Sequence, residues 1–249
     1  MKAIAVIGYH HTGKTTTVVN LVKELSARGY RVATIKDIHS DKFRADEPGK
    51  NSALHIEAGS LQTVARGLHD TKMVFPAPLS LNAILPHLEA DFLVIEGMKD
   101  APVPKLVCAV SAEQIAELVD ETAIGICGII SSEGYIDPRL PVYNAIEDIS
   151  GLCDYVIAKS FKMLPAADPK CCSRCGTTCY EMAAGIVQGT RKREDCVLDS
   201  ANSIYLKVAG KDIQIVPFVQ DILRDSIMAV LKNLRDIPDG GEIEIRIGQ

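Results

Sequence analysis

Residues Gly8-Tyr9-His10-His11-Thr12-Gly13-Lys14-Thr15 fit the spacing G-x-x-x-x-G-K-[ST] at every required position. Two glycines let a backbone turn sharply enough to aim successive N–H groups at phosphate oxygens. The lysine supplies an ammonium for the β- and γ-phosphates, and the Thr15 hydroxyl supplies a ligand for Mg²⁺. An apolar strand precedes the loop and an amphipathic helix follows it, which is the setting this chemistry needs. The expected nucleotide-binding positions are therefore Gly8, His11, Thr12, Gly13, Lys14, Thr15 and Thr16. Whether His10 and His11 contact substrate or only line the loop is left open by the pattern.

Two acidic residues at strand ends are candidates to act beside the loop. Asp91-Phe92-Leu93-Val94-Ile95-Glu96-Gly97 is an apolar strand that ends in a carboxylate. In an α/β sheet that end faces the ligand, so Glu96 is the expected partner of the magnesium or its bound water. Ile35-Lys36-Asp37-Ile38-His39 ends another strand. There Asp37 either holds Mg²⁺ through water or orients a nucleophile, or else it caps a turn beside an exposed histidine. Lys14, Asp37 and Glu96 are the catalytic candidates.

A second constellation lies further on. Cys172, Cys175, Cys179 and Cys196 give C-x2-C-x3-C-x16-C, with Cys171 an alternative to Cys172. Four thiolates suit a [4Fe–4S] cluster or a tetrahedral Zn²⁺. Zinc sites favour two C-x2-C knuckles and only one is present, so the spacing favours iron–sulfur; unligated cysteines are the remaining alternative. Cys108, Cys127 and Cys153 sit among apolar neighbours and read as buried, inert thiols.

The elements that must position these groups are visible as apolar runs at Ala3–Ile7, Arg31–Ile35, Phe92–Ile95, Leu106–Val110 and Ile124–Ile130. They are near-continuous and rich in β-branched residues, as in strands of a parallel sheet buried on both faces. The helical pattern over Lys14–Arg28, stopped by Gly29, gives an α/β alternation with right-handed crossovers. The expected fold is a three-layer sandwich of the phosphate-loop NTPase type, with a mostly parallel sheet, over residues 1–163. Prolines in Leu164–Pro169 suggest a linker to a small α+β cysteine-rich module over residues 164–249. That module should carry a helix at Tyr180–Gln188, a hairpin of Ile204–Val208 and Ile213–Val216, and an amphipathic helix at Val219–Leu234. A last strand is expected between Gly240 and Gln249.

Of the 249 residues, 47% are apolar and 24% charged, with a net charge of -5. That balance supports a real core and supplies no basic field for nucleic acid or anionic lipid. Trp is absent, which further argues against a base-stacking surface. No apolar run approaches the roughly 20 residues of a membrane span. A cytoplasmic protein with no nucleic-acid or membrane partner is expected.

The ordered set comprising the phosphate loop, Ile35–His39, Glu47-Pro48-Gly49-Lys50-Asn51-Ser52, Glu57-Ala58-Gly59 and Val94-Ile95-Glu96-Gly97-Met98-Lys99 resembles the molybdopterin-guanine dinucleotide biosynthesis protein B (MobB) family. The resemblance covers about residues 1 to 160. It implies a GTP-binding, weakly GTP-hydrolysing accessory protein, with ATP the less favoured nucleotide. Such a protein assists the guanylyltransferase that attaches GMP to molybdopterin, acting on that enzyme or a molybdoenzyme client, and is a homodimer. It also implies that Gly13, Lys14, Thr15 and Thr16 bind phosphate and magnesium, with Asp37 and Glu96 near the metal, and that Lys50 and Ser52 face nucleotide or partner. Asn51 stands where the family has an acidic residue, and Leu54 and Ile56 flank His55 where arginines are common. The rival readings are a nucleotide-switched metallochaperone and a small-molecule kinase.

Overall fold

The computed structural model describes residues 1–47, 49–166, 172, 175–196, 204, 206–208, 211–213, 215, 217–234, 243 and 245. In chain order these form β1 (Lys2–Gly8), α1 (Lys14–Ala27), β2 (Val32–Lys36), α2 (Asn51–Glu57), β3 (Thr63–Arg66), β4 (Thr71–Val74) and α3 (Leu81–Ile84). Next come β5 (Phe92–Glu96), β6 (Lys105–Cys108), α4 (Ala112–Leu118), β7 (Ala123–Cys127), α5 (Ile149–Lys159) and α6 (Cys179–Val187). The last are β8 (Leu206–Val208), β9 (Lys211–Ile213) and α7 (Pro217–Leu231).

Five strands make one parallel sheet in the order β2-β5-β1-β6-β7. β5, β6 and β7 are buried along their length, and β1 at all but its end residues, because apolar residues cover both faces. On one face Val18, Leu21 and Leu25 of α1 and Leu152, Cys153 and Val156 of α5 pack on Ile4, Val6, Phe92 and Val94. On the other, Ala3, Ala5, Ile7, Leu93 and Ile95 pack on Val103, Leu118 and Met163. This is the three-layer α/β sandwich expected. Gly29 ends the first helix with φ 89, a conformation that suits glycine. The two inert-thiol readings nearest the loop also hold: Cys108 and Cys127 are wholly buried.

The strand expected over Ile124–Ile130 stops at Cys127. Gly128 has φ 86 and turns the chain into a 3-10 turn over Ile129–Glu133. Within the remainder, β8 and β9 form the antiparallel hairpin, and α7 is the amphipathic helix, shifted by a few residues. The tail from Gly240 falls outside the described residues apart from Ile243 and Ile245, as does the linker from Ala167 onward.

The chain divides into two compact units, Met1–Cys196 and Val197–Gln249. The division lies later than the 163/164 boundary expected, because α6 is fastened to the main sheet. Lys105 at the start of β6 is wholly buried, and its Nζ donates to Asp120 Oδ2 at 3.1 Å and to the Tyr180 hydroxyl at 2.6 Å. Tyr180, the second residue of α6, donates in turn to Asp120 Oδ2 at 2.7 Å. A lysine inside an otherwise apolar strand is thus satisfied by a carboxylate and a phenol that the helix brings to it.

Candidate functional site: a phosphate loop with a lysine-paired glutamate

β1 delivers the chain at Gly8 to the C-terminal edge of the sheet, and α1 starts at Lys14. The turn between them is shaped by steric necessity. His11 has φ 59 and Gly13 φ 92, both left-handed. A side chain at Gly8 would place Cβ 2.3 Å from the Cys108 carbonyl oxygen. Thr12 is buried, and its hydroxyl donates to the Tyr9 carbonyl at 2.9 Å, closing the loop on itself. α4, α5 and α6 each have a side-chain cap from Ser111, Asp148 and Thr178, but α1 begins at Gly13 with none. Its first N–H groups, with the positive end of the helix dipole behind them, suit an anion.

Lys14 Nζ bends back to donate to the Tyr9 carbonyl at the loop's start. Burial holds its pKa below the ordinary lysine value, Glu96 pulls the other way, and Lys36 and Lys99 add repulsion. Three ammoniums therefore act on one small region. Lys99 lies 4.9 Å from the centre of the Tyr9 ring, whose hydroxyl donates to Glu117 at 2.8 Å.

Glu96 ends β5 next to this loop. Strand register sets Lys36 of β2 opposite Glu96, and Val6 of β1 opposite it on the other side. Glu96 is 8% exposed, and its Oε1 accepts from the Thr15 hydroxyl at 2.8 Å and pairs with Lys36 Nζ at 2.9 Å. The structure thus brings together Lys14, Thr15 and Glu96 as expected, and adds Lys36, which sequence reasoning passed over. Its signal was present: Lys36 is the last residue of a strand whose neighbour ends in a carboxylate.

Asp37 follows β2, and its N–H donates to the Glu96 carbonyl at 2.8 Å. Its carboxylate pairs with His39 Nε2 at 3.0 Å, and that histidine is 84% exposed. Of the readings left open for Asp37, the described contacts match the turn residue beside an exposed histidine. Lys50 and Ser52 lie away on α2 and its approach, lining a shallow cleft of about 410 Å³ with Asn51, His55, Thr63 and Val64.

Gly128 is the second residue that was passed over. The Ile129 N–H donates to the Thr12 carbonyl at 3.2 Å, so β7's end props the phosphate loop from behind. A Cβ at 128 would sit 2.3 Å from the Thr12 carbonyl oxygen, on a backbone with φ 86. An isolated glycine in a strand pattern signals such a close approach. Gly128→Ala is expected to destabilise the fold by about 2–4 kcal/mol through strain and overpacking. It should also weaken nucleotide uptake, measured by urea unfolding and calorimetry on the same protein.

The cysteine expectation is not confirmed. Among the described residues no group of three or more His, Cys, Asp or Glu side chains is arranged to hold a metal ion, so Cys172, Cys175, Cys179 and Cys196 are not brought together there as the expected four-thiolate centre. Cys171 lies outside the described residues. The local chain has other uses for this stretch. The Cys175 thiol donates to the Thr177 carbonyl at 3.5 Å, and Thr178 with Glu181 forms the capping box that starts α6. Cys196 is buried. A magnesium ion on a phosphate loop is a different case, because phosphates and waters supply most of its oxygens and the protein needs to add only a hydroxyl and a carboxylate. Thr15 and Glu96 present such a pair, 2.8 Å apart.

The family model described as molybdopterin guanine dinucleotide synthesis protein B (MobB) matches residues 3–132, just over half of the chain. The chain belongs to this family. A Methanocaldococcus jannaschii protein, provisionally named a molybdopterin-guanine dinucleotide biosynthesis adapter protein, is 28% identical over 255 residues, covering 99% of this chain and 97% of its own. The Escherichia coli molybdopterin-guanine dinucleotide biosynthesis adapter protein is 29% identical over 164 residues, covering 62% of this chain and 90% of its own. The crystal structure of Bacillus subtilis MobB superposes with a TM-score of 0.54 at 24% identity, covering 64% of this chain and 97% of that one. Similarity to the archaeal relative spans nearly the whole chain, 99% of it, whereas the Bacillus subtilis MobB structure covers 64%. No helix among the described residues is long and apolar enough to cross a membrane.

Proposed function

We propose that this MobB-family protein binds GTP with magnesium at Gly8–Thr16 and acts as an adapter in attaching a guanine nucleotide to molybdopterin, in association with the guanylyltransferase. The observation that carries the reading is the Thr15–Glu96 contact at 2.8 Å beside an uncapped helix start. The N–H groups at the start of α1 and the Lys14 ammonium hold and orient the phosphates. Thr15 and Glu96 hold the magnesium, which supplies positive charge to the phosphate oxygens. Hydrolysis is slow on this reading, because no arginine or glutamine stands among the groups described around the loop to steady the transferring phosphoryl group or orient water. A partner completes the site.

A homodimer is part of the proposal. The hairpin β3–β4 and its surroundings expose Leu61 (89%), Leu68 (98%) and Met73 (45%), apolar surface that a second copy would cover. The metallochaperone alternative is not favoured, since it drew on the cysteine ligands.

The test is a guanylyltransferase reaction with molybdopterin and GTP, run with and without the purified protein. The expected result is a higher yield of the dinucleotide cofactor in its presence, lost in a Lys14→Ala variant. An unchanged yield at saturating protein sinks the adapter role.

A further inference from the structure

Thr15 and Lys36 share one acceptor, Oε1 of Glu96, at 2.8 and 2.9 Å. The glutamate side chain is 11% exposed while the lysine side chain is 55% exposed. A carboxylate this far from water needs a counter-charge. In this structure Lys36 provides it, reaching in from solvent across the β2–β5 register. A magnesium ion held between the Thr15 hydroxyl and the Glu96 carboxylate would draw on the same negative charge, directly or through a bound water. The ammonium and a divalent cation repel one another at such separation.

We infer that Lys36 holds the magnesium's place beside Glu96, and that loading of Mg²⁺ with the nucleotide must displace it. Lys36 is thus a positioning residue that acts through Glu96: it pairs with the carboxylate and keeps it turned toward Thr15 until the metal arrives. The displacement is easy, because an ammonium more than half exposed returns to water at little cost. This rests on the nucleotide reading given above and adds to it a competition between a side chain and the metal.

Competition has a signature distinct from loss of a contact. With the full-length protein, GTP uptake is measured by calorimetry while MgCl2 is titrated at constant ionic strength, for the wild type, Lys36→Met and Lys36→Arg. In Lys36→Met the magnesium concentration giving half-maximal stimulation is expected to fall about fivefold, as one unit of competing charge leaves a largely aqueous setting. Magnesium-free GTP uptake is expected to weaken by about the same factor, because Glu96 then faces the phosphates uncompensated. Lys36→Arg keeps the charge and should keep the wild-type midpoint. A Lys36→Met midpoint equal to that of a GTP-binding wild type overturns the placeholder role and leaves the nucleotide reading standing. A wild type that takes up no GTP at any magnesium concentration overturns both. Lys36→Met replaces an exposed group, and a melting temperature within a few degrees of wild type verifies its fold.

Discussion

Lys14→Ala is expected to weaken Mg²⁺-dependent GTP uptake about a hundredfold while leaving the melting temperature nearly unchanged. The Lys14 ammonium is the loop's own mobile charge, and here it is parked on the Tyr9 carbonyl, a neutral acceptor it can leave readily for a phosphate. A charge-assisted contact to a polyanion contributes on the order of 3 kcal/mol, which is a factor of about 100 in dissociation constant. The fold does not depend on it: Thr12 closes the loop through its own hydroxyl, and Thr17 anchors the helix start by donating to the Gly13 carbonyl at 3.1 Å. Burial keeps the Lys14 pKa low, and the neighbouring Lys36 and Lys99 lower it further, so incoming phosphates relieve repulsion as well as gain a partner. Calorimetry with GTP and excess magnesium measures the loss. Lys14→Arg should not restore binding, because a planar guanidinium does not fit where a compact ammonium folds against the loop. Binding retained within threefold in Lys14→Ala would place the nucleotide elsewhere.

What was readable in advance follows a physical line. The loop and the sheet announce themselves because their requirements are local: glycines for a left-handed turn, β-branched runs for buried strands, a carboxylate just where a strand ends. Lys14, Thr15 and Glu96 could be placed from those rules alone. Lys36 and Gly128 left only a local trace, a lysine ending one strand and a glycine inside another, because their importance comes from which strands lie side by side. The order β2-β5-β1-β6-β7 sets Lys36 against Glu96 and the end of β7 against Thr12, and no single stretch of sequence states that order. The cysteines are a different case. Spacing alone suggested a metal centre, yet spacing does not fix where side chains point, and the described residues show no such group, while Thr178 and Glu181 in that stretch start α6. Tyr180 was counted only as part of a helix, although it decides how that helix is attached.

That attachment gives Asp120→Ala a large expected stability effect, about 3–5 kcal/mol. Lys105 is wholly buried, and desolvation lowers its pKa while Asp120 supports its charge. Removing Asp120 leaves a buried ammonium with the Tyr180 hydroxyl as acceptor and leaves that hydroxyl without its own acceptor. Lys105→Met should cost far less, about 1 kcal/mol or nothing, because an apolar chain of similar length replaces a charge that was expensive to bury. Asp120, 29% exposed, would then keep water and both donations from Thr122, at 2.8 and 2.5 Å. Tyr180→Phe falls between, at about 1–2 kcal/mol for the lost hydrogen bonds. Urea unfolding of the three variants tests this ranking, and equal losses at Asp120 and Lys105 would refute it. The pH dependence gives an independent reading. Burial works against the Asp120 charge, but hydrogen bonds from Thr122 and Tyr180, with the Lys105 ammonium, hold its pKa below the ordinary 3.8. A carboxyl lowered in the folded state stabilises fully above its unfolded value, and that contribution fades as pH falls toward the folded one. The gap between wild type and Asp120→Ala should therefore be constant near neutrality and narrow below about pH 3.8. A gap that widened with acid would mean that the carboxylate, once charged, opposes the fold.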